Sequence, residues 1–376
     1  MPFSAPQVRI VFLVIFSSLG MSADVPKETR HGAMCGEGRQ IVIAAAGDII
    51  FQPQLETHAR ATGTPYRSLW RAIEPVISGA DLAYANIEGP VAVHEAAVQT
   101  VTAAFNGASP APQLLEFNYR ASLSRDLKVA GFDVVSTANN HALDRGAAGA
   151  DLTIDRLQQG GLAFTGTRKR ASRAPWSTLT RARGFTVAWL ACTYGTNGIP
   201  DLWDQVLHCF DDAPELLSEI ARLHAEPLID AVFLVPHWGI ENSTVVERRQ
   251  RELAQAAIEA GALAVVGTHP HILQRWERKY ATDGRQGLVI YSTGNLVSAQ
   301  SAPAHRVGII AILELAKASG TSKARLAAAR YVLTRIVEKS GITTVEEAEP
   351  KAAVAALPAE DRVRIGDLAR GACEAR

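Results

Sequence analysis

Long apolar runs that end in a polar residue recur along this chain. The first is RQIVIAAAGDII, from Arg39 to Ile50, a continuous apolar stretch that ends in Gly-Asp. A run without alternating polar positions is typical of a strand that is buried on both faces. The same pattern predicts further strands in ADLAYANIE, FDVVS, LAFTG, GFTVAWLAC, DAVFLVPHW, ALAVVGT, GLVIYSTGN, VGIIAILEL and ARYVLTRIV.

Helical stretches alternate with several of these strands. The sequences ASLSRDLKVAG, DLTIDRLQQGG and VVERRQRELAQAAIEAG have apolar positions spaced for a helix and stop at Gly131, Gly160 and Gly261. A glycine just past a helix end accepts the left-handed backbone that caps it, and a short apolar strand follows each one. This alternation predicts an α/β protein.

The two ends of the chain differ from the alternating region. Residues 1–23 have a basic start, an apolar block too short to span a bilayer and small residues at Ser22 and Ala23, which predicts an export signal. The alternatives are a buried first strand, an uncleaved anchor, or a start at Met21 that removes the signal. We predict a leader at 24–38, a single domain at 39–340 and an Ala/Glu-rich extension at 341–376 with one helix, EDRVRIGDLARGA.

The charge balance excludes one class of partner. The chain has 38 Lys and Arg residues against 38 Asp and Glu residues. A neutral chain lacks the basic excess that nucleic-acid binding requires, so we expect no nucleic-acid partner.

Export would make the four cysteines candidates for disulfides. Cys192 and Cys209 flank a loop-like stretch, and Cys35 and Cys373 lie near the two ends of the chain. Pairing them as Cys192–Cys209 and Cys35–Cys373 is one of three connectivities. Four free thiols in a cytosolic protein are the alternative. None of the spacings matches a zinc ribbon or a CxxC redox pair.

Side chains that bind metal ions are concentrated where the predicted strands end. They are Asp48, Asn86, Glu88, Asn139, Asn140, His141, Asp144, His237, Glu241, His269, His271 and Asn295. One such residue after a strand usually belongs to a turn. Six strand ends that carry them indicate a shared site, because ligand crevices of α/β sheets form at this edge. In the sequence HPH, an extended backbone would point His269 and His271 to the same side.

This set of side chains suits a pair of divalent metal ions. Imidazole together with carboxylate and amide oxygens makes Mn and Fe at least as suitable as Zn. Two ions about 3.5–4 Å apart activate a bridging water and neutralise charge on a leaving oxygen. Two carboxylates against two divalent ions leave excess positive charge, so we expect an anionic substrate. A histidine that binds no metal can protonate the leaving group.

Taken in order, these stretches resemble the CapA family of poly-γ-glutamate capsule biosynthesis proteins, which are related to calcineurin-like metallophosphoesterases. The matching stretches run from about Ile41 to Val297 and are AAAGDIIF, ADLAYANIEGP, GFDVVSTANNHALDRG, VFLVPHWGIE, QAAIEAGALAVVGTHPHILQ and YSTGNLV. The resemblance implies a four-layer α/β/β/α sandwich of the metallophosphoesterase type, with its site at the strand ends.

The resemblance also implies a role for each matching position. Asp48 and His271 would hold one metal ion, Asn140, His237 and His269 the other, and Glu88 would bridge the two. His141 would protonate the leaving oxygen. Asn139 and Asp144 would orient Asn140 and His141. Asn86, Glu241 and Asn295 are expected to support the ligands without binding metal, and turn positions are the alternative for Glu241 and Asn295. One feature departs from the wider superfamily, in which the first motif is Asp-x-His, because Asp48 is followed here by Ile49 and Ile50.

Three functions are consistent with these residues. The first is an exported, dinuclear hydrolase of phosphoesters or a related anionic bond, using Mn, Fe or Zn. The second is a non-catalytic accessory protein that binds poly-γ-glutamate or another acidic polymer for export or anchoring. It would need a basic groove, which the neutral net charge does not support. The third is a metal-dependent γ-glutamyl amidase. In each case we expect a periplasmic or envelope location, near the membrane capsule-synthesis machinery.

Overall fold

The computed structural model describes residues 39–61, 66–93, 116–318, 323–339 and 342–348. The predicted export signal, the leader, the C-terminal helix EDRVRIGDLARGA and the pair Cys35 and Cys373 lie outside these residues.

Helices and strands alternate along the described residues. The helices are α1 (Pro53–Ala61), α2 (Glu74–Gly79), α3 (Ser122–Ala130), α4 (Gly146–Gln159), α5 (Ala213–Ala225) and α6 (Arg248–Ala260), with 3₁₀ turns at Tyr66–Leu69 and Pro303–Arg306. The strands are β1 (Arg39–Ile49), β2 (Leu82–Ile87), β3 (Val134–Ser136), β4 (Ala163–Thr165), β5 (Thr178–Ala182), β6 (Phe185–Thr193), β7 (Ala231–His237), β8 (Ala264–Val266), β9 (Leu273–Tyr280), β10 (Gln286–Thr293), β11 (Asn295–Val297), β12 (Val307–Lys317), β13 (Arg325–Lys339) and β14 (Ile342–Glu347).

The strands form two sheets. The first has the order β14-β13-β12-β1-β2-β3-β4, and β11 also pairs with β1; the second has the order β5-β6-β7-β8-β10-β9. Strands β1 to β4 are parallel in the first sheet, and β6, β7, β8 and β10 are parallel in the second. Each sheet therefore brings several strand carboxyl ends to one edge, where the polar residues predicted from the sequence are found.

Three apolar clusters divide the molecule into four layers. The middle cluster packs one sheet on the other and includes Ile43 and Tyr84 from the first sheet and Trp189 and Phe233 from the second. An outer cluster buries helices α1 to α4 against the first sheet, and another buries α5 and α6 against the second. The predicted four-layer α/β/β/α sandwich is confirmed.

The long apolar strands agree with the sequence prediction, and the differences occur at sheet edges. Strand β9, LQRWERKY, is an edge strand with several exposed positions, so it lacks the apolar run that identifies a buried strand. One predicted cap is also corrected. Gly131 and Gly261 have positive φ, but Gly160 has φ −76°, and the next residue, Gly161, takes the left-handed backbone with φ 68°.

Strand β14 lies inside the segment predicted as a C-terminal extension. It pairs with β13 in an antiparallel ladder, in which Thr334 lies opposite Glu347 at one end and Lys339 opposite Ile342 at the other. The first sheet therefore continues past residue 340. In the described part of the chain, no helix is long and apolar enough to cross a membrane.

Candidate metal centre

Both sheets contribute polar side chains to one buried cluster. Asp48 from β1 and Glu88 after β2 come from the first sheet, as does Asn140 in the turn after β3. His237 ends β7 in the second sheet, and His269 follows β8. All five are buried, at 0 to 5% exposure. The cluster therefore lies where the carboxyl ends of the two sheets meet.

The cluster contains two groups of potential metal ligands that share one carboxylate. The histidine-rich group is Glu88, His237 and His269, and the carboxylate-rich group is Asp48, Glu88 and His271. Within each group the ligand atoms lie within 4.8 Å of one another. Glu88 is therefore the residue that the two groups share.

Short contacts connect the members of the histidine-rich group to Asn140. Nε2 of His237 lies 2.9 Å from Oδ1 of Asn140 and 3.2 Å from Nδ1 of His269. Oε1 of Glu88 is 3.7 Å from the same Nε2 atom. Three nitrogen or oxygen donors and a carboxylate oxygen therefore converge at one point.

The carboxylate-rich group is arranged around the ring of His271. Nδ1 of His271 lies 3.2 Å from Oδ2 of Asp48 and 3.1 Å from Oδ1 of Asn295. Nε2 of the same ring lies 3.6 Å from Oε1 of Glu88 and 3.8 Å from Oε1 of Glu241. Strand pairing places Asp48 opposite Asn295. Oxygen atoms therefore surround both nitrogens of His271.

Two asparagines tie the ligands to the strands. Asn86 on β2 donates from Nδ2 to Oδ1 of Asp48 at 2.7 Å, and its Nδ2 is 3.3 Å from Nδ1 of His237. Asn139 donates to the carbonyl of Ile87 at 2.7 Å and accepts from the backbone N–H of His141 at 3.2 Å. These bonds fix the strand ends and the turn after β3 relative to one another.

His141 lies beside the cluster without joining either ligand group. Its Nδ1 is 2.8 Å from Oδ2 of Asp144, and its Nε2 is 4.0 Å from Oε1 of Glu88. The ring also packs on Phe117, with ring centroids 4.5 Å apart. One nitrogen is thus held by a carboxylate while the other faces the candidate metal centre.

The HPH segment reaches the cluster by a different backbone from the predicted one. His269 has φ 96° and His271 has φ 60°, so neither is extended, and the expectation that they share a side through an extended backbone is wrong. Both side chains still enter the cluster, with ring centroids 5.8 Å apart. Positive φ is costly for a residue with a side chain, and such strain is concentrated at functional sites.

Burial and charge determine the protonation of this cluster. Burial lowers the pKa of His237 well below its usual range, and burial with the nearby cationic His271 lowers the pKa of His269 to about 3. Burial also opposes charge on His271, but Glu88, Asp48 and Glu241 outweigh it and raise its pKa to about 9. His237 and His269 are therefore neutral, the form of imidazole that binds metal ions.

Glu88 provides a direct test of whether the cluster suits a cation. Burial raises the pKa of this carboxyl well above its usual range, and Asp48 adds to the effect. Its Oε2 atom is buried and makes no hydrogen bond. Leaving a carboxylate oxygen buried without a partner is costly, and a metal ion would satisfy it. The donor set, with three histidines, two carboxylates and an amide oxygen, fits divalent ions such as Mn, Fe or Zn.

The loop after β6 contributes two residues that the sequence did not single out. Tyr194 packs its ring on His269, with centroids 4.5 Å apart, and hydrogen-bonds the Asn140 side chain. Asn197 accepts from Nδ2 of Asn140 at 3.2 Å, and its own Nδ2 lies 3.5 Å from Nε2 of His141. The stretch TYGTNG reads as an ordinary turn, and its only signal is that it follows a parallel strand.

A disulfide closes this loop at its base. Cys192 at the end of β6 bonds to Cys209, so the pair predicted from the flanking positions is present. Both sulfur-bearing residues are fully buried. The loop that carries Tyr194 and Asn197 is therefore fixed at both ends beside the cluster.

This four-layer sandwich, with its polar cluster where the carboxyl ends of the two sheets meet, is the architecture that the sequence resemblance implied. The chain belongs to the bacterial capsule synthesis protein PGA_cap family, whose model matches residues 42–300, more than half of its length. The resemblance to CapA proteins is thereby confirmed.

Two curated relatives have similar sequences. The capsule biosynthesis protein CapA of Bacillus anthracis is 27% identical over 270 residues, which cover 69% of this chain and 60% of that protein. The PGA biosynthesis protein CapA of Bacillus subtilis (strain 168) is 26% identical over 300 residues, which cover 77% of this chain and 70% of that protein. The chain thus spans less than two thirds of the Bacillus anthracis relative.

Among solved structures, that of the NAD nucleotidase of Haemophilus influenzae aligns over 86% of this chain and 57% of the nucleotidase chain, at 9% identity and a TM-score of 0.45.

Proposed function

We propose that this chain is an exported capsule-synthesis protein whose buried cluster binds two divalent metal ions and hydrolyses an anionic bond, with a phosphoester as the preferred substrate class. The observation that carries the proposal is that Glu88 belongs to both ligand groups, as a carboxylate that bridges two ions would. Two bound ions would activate a water molecule and neutralise charge on the leaving oxygen.

The residues around the cluster support acid–base chemistry. His141 holds Nε2 toward the cluster while Asp144 accepts from Nδ1, an arrangement that orients an imidazole for proton transfer. Asn140 is fixed by Tyr194 and Asn197 so that its carbonyl oxygen faces His237. In the proposed reaction, His141 gives its proton to the leaving oxygen.

Two observations support an envelope location. The Cys192–Cys209 disulfide is typical of proteins from oxidising compartments. The two relatives are named for capsule or PGA biosynthesis, and a capsule belongs to the cell envelope. An anionic substrate or polymer, such as poly-γ-glutamate, and the membrane capsule-synthesis machinery are the partners that we propose.

Turnover assays on the full chain test this function. Metal-reconstituted protein would be given a phosphodiester with a poor leaving group and, separately, a γ-glutamyl anilide. We expect hydrolysis of the phosphodiester, with a loss of about 10²–10⁴-fold in His141→Ala at unchanged metal content. Turnover of the anilide alone would instead indicate an amidase. Bound metal with neither activity would contradict the hydrolase and favour polymer binding, which sedimentation with poly-γ-glutamate would measure.

A further inference from the structure

The two ligand groups differ in where their donors lie. The histidine-rich group gains a fourth donor from Oδ1 of Asn140, which is 2.9 Å from Nε2 of His237. In the carboxylate-rich group, Oδ2 of Asp48 and Oδ1 of Asn295 lie 3.2 and 3.1 Å from Nδ1 of His271. The residue two positions after Asp48 is Ile50, which is 2% exposed, packs in the outer core and has no donor atom to offer. Of the three members of this group, Glu88 is the one near Nε2 of His271, at 3.6 Å.

Glu241 lies on the open side of the carboxylate-rich group. Its Oε1 is 3.8 Å from Nε2 of His271, and Oε1 of Glu88 is 3.6 Å from the same atom. Both distances exceed a normal N–H···O hydrogen bond of about 2.7–3.2 Å. Two donors that each bind one ion at about 2.0–2.2 Å are separated by roughly 3.0–3.6 Å at ordinary coordination angles. Oε1 of Glu88 lies at the upper end of that range, and Oε1 of Glu241 lies just beyond it, so a small movement of the Glu241 side chain would bring it within reach of an ion bound to Nε2 of His271.

Backbone contacts hold Glu241 at this position. The next residue, Asn242, has φ 64° and donates its N–H at 2.9 Å to the carbonyl of Pro270, the residue between the two histidines of the HPH segment. Gln274 donates to the carbonyl of Ser243 at 2.8 Å and fixes the same loop from the other side. The Glu241 side chain, 52% exposed, therefore projects from a fixed backbone and has room to move toward an ion.

We infer that Glu241 is a further protein ligand of the metal ion held by the carboxylate-rich group, on the Nε2 side of His271. The inference rests on the proposed metal binding and deepens it. With Glu241 bound, this centre has three carboxylates and one imidazole, a donor set that favours Mn²⁺. The histidine-rich group, with two imidazoles, one amide and a shared carboxylate, favours Zn²⁺ or Fe. The two centres would then differ in metal preference.

A third carboxylate also changes the charge at the centre. With Asp48 and Glu88 alone, two divalent ions would leave two units of excess positive charge, and Glu241 reduces this to one. Because its side chain is 52% exposed, Glu241 would contact solvent as well as the ion.

The test is a calorimetric titration of the chelator-stripped full chain with Mn²⁺. His237→Ala removes a ligand of the histidine-rich group, so binding in this background reports on the other centre. Adding Glu241→Gln, which keeps the size and removes the charge, should weaken the remaining Mn²⁺ site at least tenfold. Glu252→Gln, an exposed position on α6, is the matched control and should have no effect. Thermal unfolding of the stripped proteins checks that the variants fold alike.

The outcomes separate this inference from the proposed function. If His237→Ala binds Mn²⁺ and addition of Glu241→Gln leaves the affinity unchanged, Glu241 is no ligand, and the two-metal proposal still stands. If the wild-type chain binds no divalent ion, both are overturned. If Glu241→Gln weakens only the Mn²⁺ site while Zn²⁺ binding at the histidine-rich group is unchanged, both the ligand and the difference in metal preference are supported.

Discussion

Nδ1 of His141 lies 2.8 Å from Oδ2 of Asp144, and the backbone N–H of Phe117 donates to the same oxygen at 2.6 Å. One carboxylate oxygen thus fixes both the imidazole and the segment at Phe117 that leads into α3. The Phe117 ring packs on His141, so the imidazole is held from the side as well.

Asp144→Asn should therefore reduce turnover without removing metal. Asparagine keeps an acceptor for both donors but loses the charge that stabilises a protonated imidazole, and we expect a fall of about 10–100-fold. The fall should be larger for substrates with poor leaving groups, because good ones need no proton. Asp155→Asn, at a partly exposed ion pair with Lys169, is the control. Equal losses for good and poor leaving groups would contradict proton donation by His141.

Removal of single histidines should empty the two centres separately. We expect His237→Ala to lose the ion of the histidine-rich group and His271→Ala the ion of the carboxylate-rich group, each a fall of about one ion per chain by elemental analysis. His224→Gln is the control, because His224 lies on α5 beside Gly261 and belongs to neither ligand group. Loss of both ions in both variants would show instead that the centres bind cooperatively through Glu88.

Metal removal should also lower stability, because ions that bind only the folded chain stabilise it. At an ion concentration of 100 times the dissociation constant, the gain is about 2.7 kcal/mol. A chelator should therefore lower the melting temperature of the wild-type chain and change that of a His237→Ala/His271→Ala double variant much less. An identical chelator effect in both proteins would mean that the ion binds elsewhere.

Asn197 should position both a ligand and the proposed acid. Asn197→Gly removes the side chain while keeping the left-handed backbone, φ 52°, without strain. We expect weaker metal binding at the histidine-rich group, through loss of the contact to Asn140, and lower turnover of substrates with poor leaving groups, through loss of the contact to His141. Ala171→Gly, at φ 57° and exposed, changes the backbone in the same way away from the site and is the control. Equal effects at the two positions would assign the loss to backbone flexibility.

The sequence predicted the ends of buried strands well, and the reason is topological. Parallel strands place their carboxyl ends at one edge of each sheet, and the packing of the two sheets then brings Asp48 of the first within 3.2 Å of His271, which follows β8 of the second. The β6 loop has no such signal. Tyr194 and Asn197 lie in the site because the loop folds back toward His269 and Asn140. Its turn-like sequence does not predict the direction in which it folds. Whether the gathered side chains bind metal stays a prediction.

The disulfide should stabilise the chain and keep the β6 loop in place. Cys192 and Cys209 are 17 residues apart, and closing a loop of this size contributes about 3 kcal/mol in the loop-entropy model. Cys192→Ala/Cys209→Ala should therefore lower the denaturant midpoint and also reduce turnover, because the loop carries Tyr194 and Asn197. Reduced wild-type protein is the control, because it loses the bond but keeps both cysteine side chains in the core. A reduced protein as stable as the oxidised one would mean that the surrounding contacts already fix the loop.

Gly47 allows β1 to approach the turn before β11, and this approach positions Asp48. A Cβ atom at Gly47 would lie 1.9 Å from the carbonyl oxygen of Gly294, a backbone atom that accepts from the N–H of Asp48 at 3.1 Å. Gly47→Ala must therefore separate the two segments and shift Asp48 from Asn295, its partner across the strands. We expect a loss of about 1–3 kcal/mol in the free energy of unfolding, as for overpacked cores, together with weaker metal binding at the carboxylate-rich group.

Gly195→Ala is the matched control for this substitution. A Cβ atom there would meet nothing within 4 Å, and its backbone is not left-handed. The change in stability should stay within about 1 kcal/mol and can be favourable, because alanine restricts the unfolded chain. Urea denaturation of both variants measures the difference. If Gly47→Ala were as stable as Gly195→Ala and bound metal normally, the close approach of β1 to Gly294 would not be what positions Asp48.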